Sequence, residues 1–149
     1  MSEAPIKMRV RETVILRVVG KAIIPFILLF ALYVQFHGDY GPGGGFQAGV
    51  IFAAGLILYA LIFGLDELQR AIPLVVVEIG IALGALIYGG VGLTAMMLGG
   101  EYLDYGALDH HDPVHGQHLG VLLVELGVGI TVTFVMVAIF YAFAGRSRQ

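Results

Sequence analysis

Cysteine and tryptophan are both absent from this 149-residue chain. The missing cysteine excludes disulfides, thiolate metal sites, iron–sulfur ligation and a cysteine nucleophile together. Charge is scarce as well: 13% of the residues are charged, against roughly 25% in a soluble domain. The formal net charge of -3 is small, and no basic run interrupts the apolar stretches, so nucleic acid is not an expected partner. Also missing is the polar punctuation, at helix or strand period, that marks a soluble fold.

What is present is hydrophobic: 58% of the chain, in blocks of about twenty residues, the length that crosses a hydrocarbon core of about 30 Å. The blocks predict helices over 18–36, 46–63, 74–98 and 119–143, with a polar external loop over 99–118. Residues 1–149 then form one all-α integral membrane domain with four transmembrane helices. The first block is too long for a signal-peptide core and lacks a small-x-small cleavage pattern after Phe36, so it is expected to stay as a helix. Pro73 suits the first turn of the third helix, where its missing N–H would have no partner anyway.

All eight Lys and Arg lie in the N-terminal arm, near the start of the first helix, in the second connection or in the C-terminal tail. The positive-inside bias makes those segments, and hence both termini, cytoplasmic. The other two connections carry Asp39, Glu101, Asp104, Asp109 and Asp112 and no Lys or Arg, as expected outside. Tyr33, Tyr40, Tyr102, Tyr105 and Tyr141 lie near the predicted helix ends, where they would serve as interfacial anchors, while Tyr59 and Tyr88 lie deeper and read as packing residues.

Three ionisable groups fall inside the predicted spans, where charge is costly unless paired, hydrated or turned toward protein. They are Lys21, Glu78 and Glu125. At about 1.5 Å per residue, Glu78 lies roughly 12 Å to the cytoplasmic side of its helix centre and Glu125 roughly 9 Å to the outer side. A separation of about 20 Å along the membrane normal prevents these two from sharing a proton or an ion. Lys21 lies at nearly the depth of Glu78, which suggests an ion pair, with snorkelling of Lys21 to the interface as the competing arrangement. Glu125 has no basic residue of its own chain at its depth; Gln47 and His37 approach that level. Its partner would come from another subunit, or burial would keep it protonated.

Gly41-Pro42-Gly43-Gly44-Gly45-Phe46 fits neither a phosphate loop nor a dinucleotide fingerprint. A tight turn with closely approaching backbones explains it, and coordination of an ion by exposed carbonyls is the alternative. Glycines recur four residues apart at Gly45 and Gly49, Gly80 and Gly84, and Gly116 and Gly120, a spacing that lets membrane helices pack closely. The segment from Asp109 to His118 gathers four histidines and two aspartates. Imidazole and carboxylate bind transition metals, but no metalloprotease pattern accompanies them; a polar loop without metal is expected, with a proton-collecting role as the alternative. No nucleophile, base and orienting group share a face, so neither an enzyme nor a cofactor is expected.

Tyr33-Val34-Gln35-Phe36-His37-Gly38, the run from Gly41 through Phe46, Gln47 and Ala48 to Gly49, and the Glu125-bearing stretch Gly120–Val128 together resemble the MnhB/MrpB family, the B subunit of Mrp-type Na+/H+ antiporters. The resemblance covers essentially the whole chain; only the acidic, histidine-rich loop has no counterpart in the pattern. It implies a small four-helix subunit of a hetero-oligomeric complex in a prokaryotic cytoplasmic membrane, surrounded by lipid, whose subunits together exchange Na+ for H+. The same module occurs in membrane-bound hydrogenases and related respiratory complexes. A homo-oligomeric channel and a purely structural packing subunit are the other readings. Under the first two, Glu125, Glu78, Lys21 and His37 are the candidates for an ion or proton path.

The orientation is testable because the chain has no cysteine of its own. Single cysteines at Asp104 and His111 should react with an impermeant thiol reagent added outside, and cysteines at Ser2 and Gln149 should not. Outside labelling at position 149 would defeat the four-span arrangement.

Overall fold

The computed structural model describes residues 14–38, 40–109 and 111–146. Ser2, Lys7, Arg9, Arg11, Asp39, His110, Arg148 and Gln149, which entered the reasoning above, lie outside the described residues. The helices in chain order are α1 (Val14–His37), α2 (Gly45–Phe63), α3 (Leu65–Ala71), α4 (Leu74–Met97) and α5 (Pro113–Arg146), with a short 3-10 helix, Tyr105–Leu108, ahead of α5. No strand occurs among the described residues. Four helices, α1, α2, α4 and α5, are long and apolar enough to cross a membrane.

Two elements depart from the sequence expectation. The connection after α2 contains α3, where a polar loop was expected. Gly64 turns the chain there with φ 112°, a value that favours glycine. Asp66 and Glu67 in the first turn of α3 and Arg70 in its last match the helix dipole, and Leu68, 1% exposed, anchors it under the bundle. The second departure is α5, which starts at Pro113 instead of 119. The Asp112 carboxylate accepts hydrogen bonds from the backbone N–H of Val114 at 3.1 Å and of His115 at 3.3 Å, the pattern of an N-cap. Pro113, in the first helical position, lacks the N–H that would be orphaned there. With 34 residues, α5 is about 51 Å long and exceeds the hydrocarbon thickness.

The spanning helices pack in the order α1, α2, α5, α4: α2 lies between α1 and α5, and α5 between α2 and α4. This places α1 and α4 on opposite flanks. The core gathers Ala53, Ala60, Leu68, Val77, Val137 and Tyr141. Tyr141 is buried and donates its hydroxyl to the Ile72 carbonyl at 2.8 Å, so it pins the connection before α4 to α5 instead of lying at a lipid boundary. Between α4 and α5 the backbones meet at glycines: a Cβ on Gly84 would lie 2.7 Å from the Gly127 carbonyl oxygen, and one on Gly127 would lie 2.9 Å from that of Gly84. On α2, a Cβ at Gly49 would stand 2.7 Å from the Gly129 oxygen. The Thr133 hydroxyl, hydrogen-bonded within α5 to Gly129 at 2.8 Å, also reaches the Gly49 carbonyl at 3.2 Å. Membrane helices associate through such close packing and polar contacts, since lipid offers no hydrophobic drive between them.

Gly84→Leu should therefore destabilise the chain in detergent by about 1–3 kcal/mol, the usual penalty of overpacking. Gly89 is on the same helix with nothing within 4 Å of its Cβ position, and Gly89→Ala should leave stability unchanged or slightly raised. Denaturation by a graded detergent titration reads both; equal effects at the two positions would contradict the packing.

Candidate functional site

The α1–α2 turn is where the sequence signature and the α5 carboxylate meet. Gly44, the residue before α2, has φ 140° and supplies no side-chain cap to that helix. The Glu125 carboxylate occupies the space in front of it. A Cβ on Gly38 would stand 2.8 Å and 3.0 Å from the two Glu125 carboxylate oxygens, and one on Gly44 would stand 3.1 Å from Oε1. A Cβ on Gly45 would run into the Glu125 backbone itself. Glu125 is half-buried, so the glycines make room for both its side chain and its main chain. Its carboxylate sits where a negative group is favoured by the amides and dipole of the α2 N-terminus.

The other members of the run divide by direction. Gly43 faces α1, with its Cβ position 3.1 Å from Val34, while Gly49 faces α5. Pro42 and Phe46 point away from the protein and are exposed. Gln47 is exposed, but its Oε1 comes within 3.6 Å of the Gly44 Cβ position, beside the Glu125 carboxylate. Gly41 lies under the His37 ring, at 3.3 Å from its Cβ position. His37 stacks on Tyr33 with ring centroids 5.0 Å apart and tilts against Tyr40 at 6.2 Å.

Lys21 and Glu78 do not form the expected ion pair. They stand on α1 and α4, the two flanks, with α2 and α5 between them. Equal depth along the membrane normal says nothing about lateral position, and that is why depth alone misled. Lys21 lies over the Phe63 ring instead, its Nζ 5.9 Å from the centroid, beside the Arg17 guanidinium at 5.8 Å, both within cation–π reach. Glu78 is exposed on the outer side of α4. The isolation expected for Glu125 is likewise replaced by the glycine enclosure just described.

Gln35 entered the sequence reading only as part of the Tyr33–Gly38 run, with no role of its own. It is 5% exposed, and its amide Nε2 has no hydrogen-bond partner. An amide inside a predicted span was the available signal, since polar groups at that depth are costly.

The acidic, histidine-rich segment is a folded connection. Asp109 accepts hydrogen bonds from the backbone N–H of His111 at 3.0 Å and of Asp112 at 3.2 Å, and its other oxygen lies 3.2 Å from His115 Nδ1. The two backbone donors, with a smaller contribution from His115, hold the Asp109 carboxyl below the usual carboxylate range. The Tyr105 ring packs against Gly120, and its hydroxyl is shifted upward by burial and by the neighbouring Tyr88 and Tyr102. Among the described residues no three metal-ligating side chains converge.

Residues 15–138 match the family described as a domain related to the MnhB subunit of Na+/H+ antiporter. The "Putative antiporter subunit mnhB2" of Staphylococcus haemolyticus is 34% identical over 134 residues, covering 89% of this chain and 94% of that protein. The protein of the same name from Staphylococcus aureus strain Newman is 33% identical over the same shares. The matched region runs from α1 through most of α5 and includes the glycine turn and Glu125. By the extent of the family match and by these relatives, the chain belongs to the MnhB family of Na+/H+ antiporter subunits.

Proposed function

We propose that this chain is the B-type subunit of an Mrp-type Na+/H+ antiporter in a prokaryotic cell membrane. Both termini are cytoplasmic in this reading, and the glycine turn faces outward, as the distribution of Lys and Arg supports. The antiporter setting is favoured over a hydrogenase because the relatives carry antiporter names. Within the complex the subunit's part is assembly: it holds one end of the bundle in fixed geometry for neighbours that bind its flanks. The observation that carries this is the contact of Gly38, Gly44 and Gly45 with Glu125, which ties α5 to the α1–α2 hairpin. Exposed apolar side chains on both flanks, Phe26 and Leu29 on α1 and Leu86 and Met97 on α4, supply surfaces for lipid and for other subunits. Lys21 and Glu78 lie on those flanks, and His37 at the turn, so an ion-path role for any of them would need groups from a neighbouring subunit.

A second reading has one observation of its own. Glu125 is half-buried and shares the Gly44 position with Gln47 Oε1, so it could exchange a proton at the outer mouth of a path. One set of variants separates the two. If Glu125 is a clamp, Glu125→Gln keeps the shape and should preserve both complex yield and the pH profile of Na+-driven proton movement. Gly45→Val should then cut the yield of assembled complex roughly fivefold or more, as a loss of one or two kcal/mol implies. An assembled Glu125→Gln complex with a displaced pH profile would favour the proton-exchange reading instead.

A further inference from the structure

Two cations converge on one ring where α2 ends. Arg17 and Lys21, one turn apart on α1, are both exposed. Both lie over Phe63: the Arg17 guanidinium carbon is 5.8 Å from the ring centroid and Lys21 Nζ is 5.9 Å from it. Gly20, between them, holds α1 close to the end of α2, since its Cβ position lies 2.5 Å from the Ile62 side chain. Like charges four residues apart repel, and an aromatic face offsets only part of that, because the ring carries no net charge. Among the described residues neither cation has an ion-pair partner. Glu67 pairs with Arg70 instead, and α3, which carries it, packs against α2 and, through Leu65 and Leu68, the core residues of α4 and α5.

The level of the pair identifies the anion that answers it. Phe63 is the last residue of α2, a helix of 19 residues, which spans about 28 Å, close to the hydrocarbon thickness of about 30 Å. The ring therefore marks the edge of the hydrocarbon, and the Lys21 stem carries its ammonium back to that edge from a helix position deeper in the span. Lipid phosphates lie just beyond, and both cations are open to them. A phosphodiester presents two non-bridging oxygens, which meet an Arg fork and a Lys point charge together. The sequence adds charge at the same end. Lys7, Arg9 and Arg11 precede Arg17 and Lys21, against Glu3 and Glu12 in the same arm, and a basic cluster of this size beside a span attracts anionic headgroups.

We propose that Arg17 and Lys21 form a binding site for the phosphate of an anionic phospholipid, seated beside Phe63 between the ends of α1 and α2. The headgroup neutralises the pair that the ring only partly offsets, and it holds the start of α1 against α2. Phosphates lie at this level in either leaflet, so the binding measured below does not depend on which side cysteine labelling assigns to the start of α1.

The test uses the assembled complex, washed in detergent and equilibrated at low salt with mixed micelles of equal phosphatidylglycerol and phosphatidylcholine. The lipids retained after a second wash are counted by mass spectrometry. Phosphatidylglycerol should exceed phosphatidylcholine by at least one molecule per copy of this chain, and Arg17→Gln with Lys21→Gln should remove that molecule and leave phosphatidylcholine unchanged. Each single substitution should weaken its retention about fivefold, and Arg17→Lys should keep most of it. Arg70→Gln, at a cation already paired with Glu67, should have no effect. If the double variant fails to assemble, the single ones give the same reading. Undiminished phosphatidylglycerol in the glutamine variants, or equal retention of the two lipids by the unaltered complex, would overturn the proposal. So would loss of a neighbouring subunit at unchanged lipid content, which would assign the two cations to a carboxylate of that subunit.

Discussion

The structure depends on α5 meeting its neighbours through main chain. On one side Gly45 and Gly49 of α2 lie against the backbone at Glu125 and Gly129, and on the other Gly84 of α4 lies against Gly127. A side chain at any of these points would force the helices apart, and in lipid no hydrophobic drive would bring them back. The order α1, α2, α5, α4 follows from these contacts. So does the separation of α1 from α4, which leaves each with a broad apolar face.

That constraint was partly visible in the sequence. Glycines four apart marked Gly45 with Gly49 and Gly80 with Gly84, and the structure places all four against α5. What spacing could not supply was the partner, because a glycine face is compatible with any helix of suitable shape. The spans themselves were legible because a hydrocarbon slab imposes a minimum length of apolar residues. Asp112-Pro113 states the start of α5 in its own chemistry, yet the surrounding histidines made the segment look like a loop. α3 was obscured in the same way, since seven residues are too few to show a period and only Leu65 and Leu68 of them meet the core.

The candidate residues could be named from the sequence, but their geometry could not. His37, the Gly41–Gly45 run and Glu125 were all singled out, but their relation required knowing that the turn folds back onto α5. Depth was the only coordinate available, and it failed for Lys21 and Glu78, which share a level and stand on opposite flanks. For Glu125 the absence of a basic partner suggested isolation, whereas the glycines provide room and the α2 N-terminus provides favourable partial charge. Glycine carries no side chain to announce itself as a partner. A carboxylate surrounded by glycine therefore reads as solitary in any argument built on side-chain charges.

Two pairs of polar groups in this bundle contrast, and the contrast bears on why the chain is a subunit. Glu125 and Thr133 are engaged within the bundle, by the glycine turn and by the Gly49 and Gly129 carbonyls. Glu78 and Lys21 face outward from the flanks. An exposed charge within a span is costly in lipid; the Phe63 ring offsets part of that cost for Lys21, and no comparable contact serves Glu78 among the described residues. A bundle stable by itself in lipid would have little reason to keep a carboxylate there. One that is completed by other subunits can keep it, where a neighbour covering α4 brings a counter-charge or a hydrogen-bond donor. The internal contacts thus set the shape of the bundle, and the uncompensated charge on its flank is best accounted for by the partners it lacks when alone.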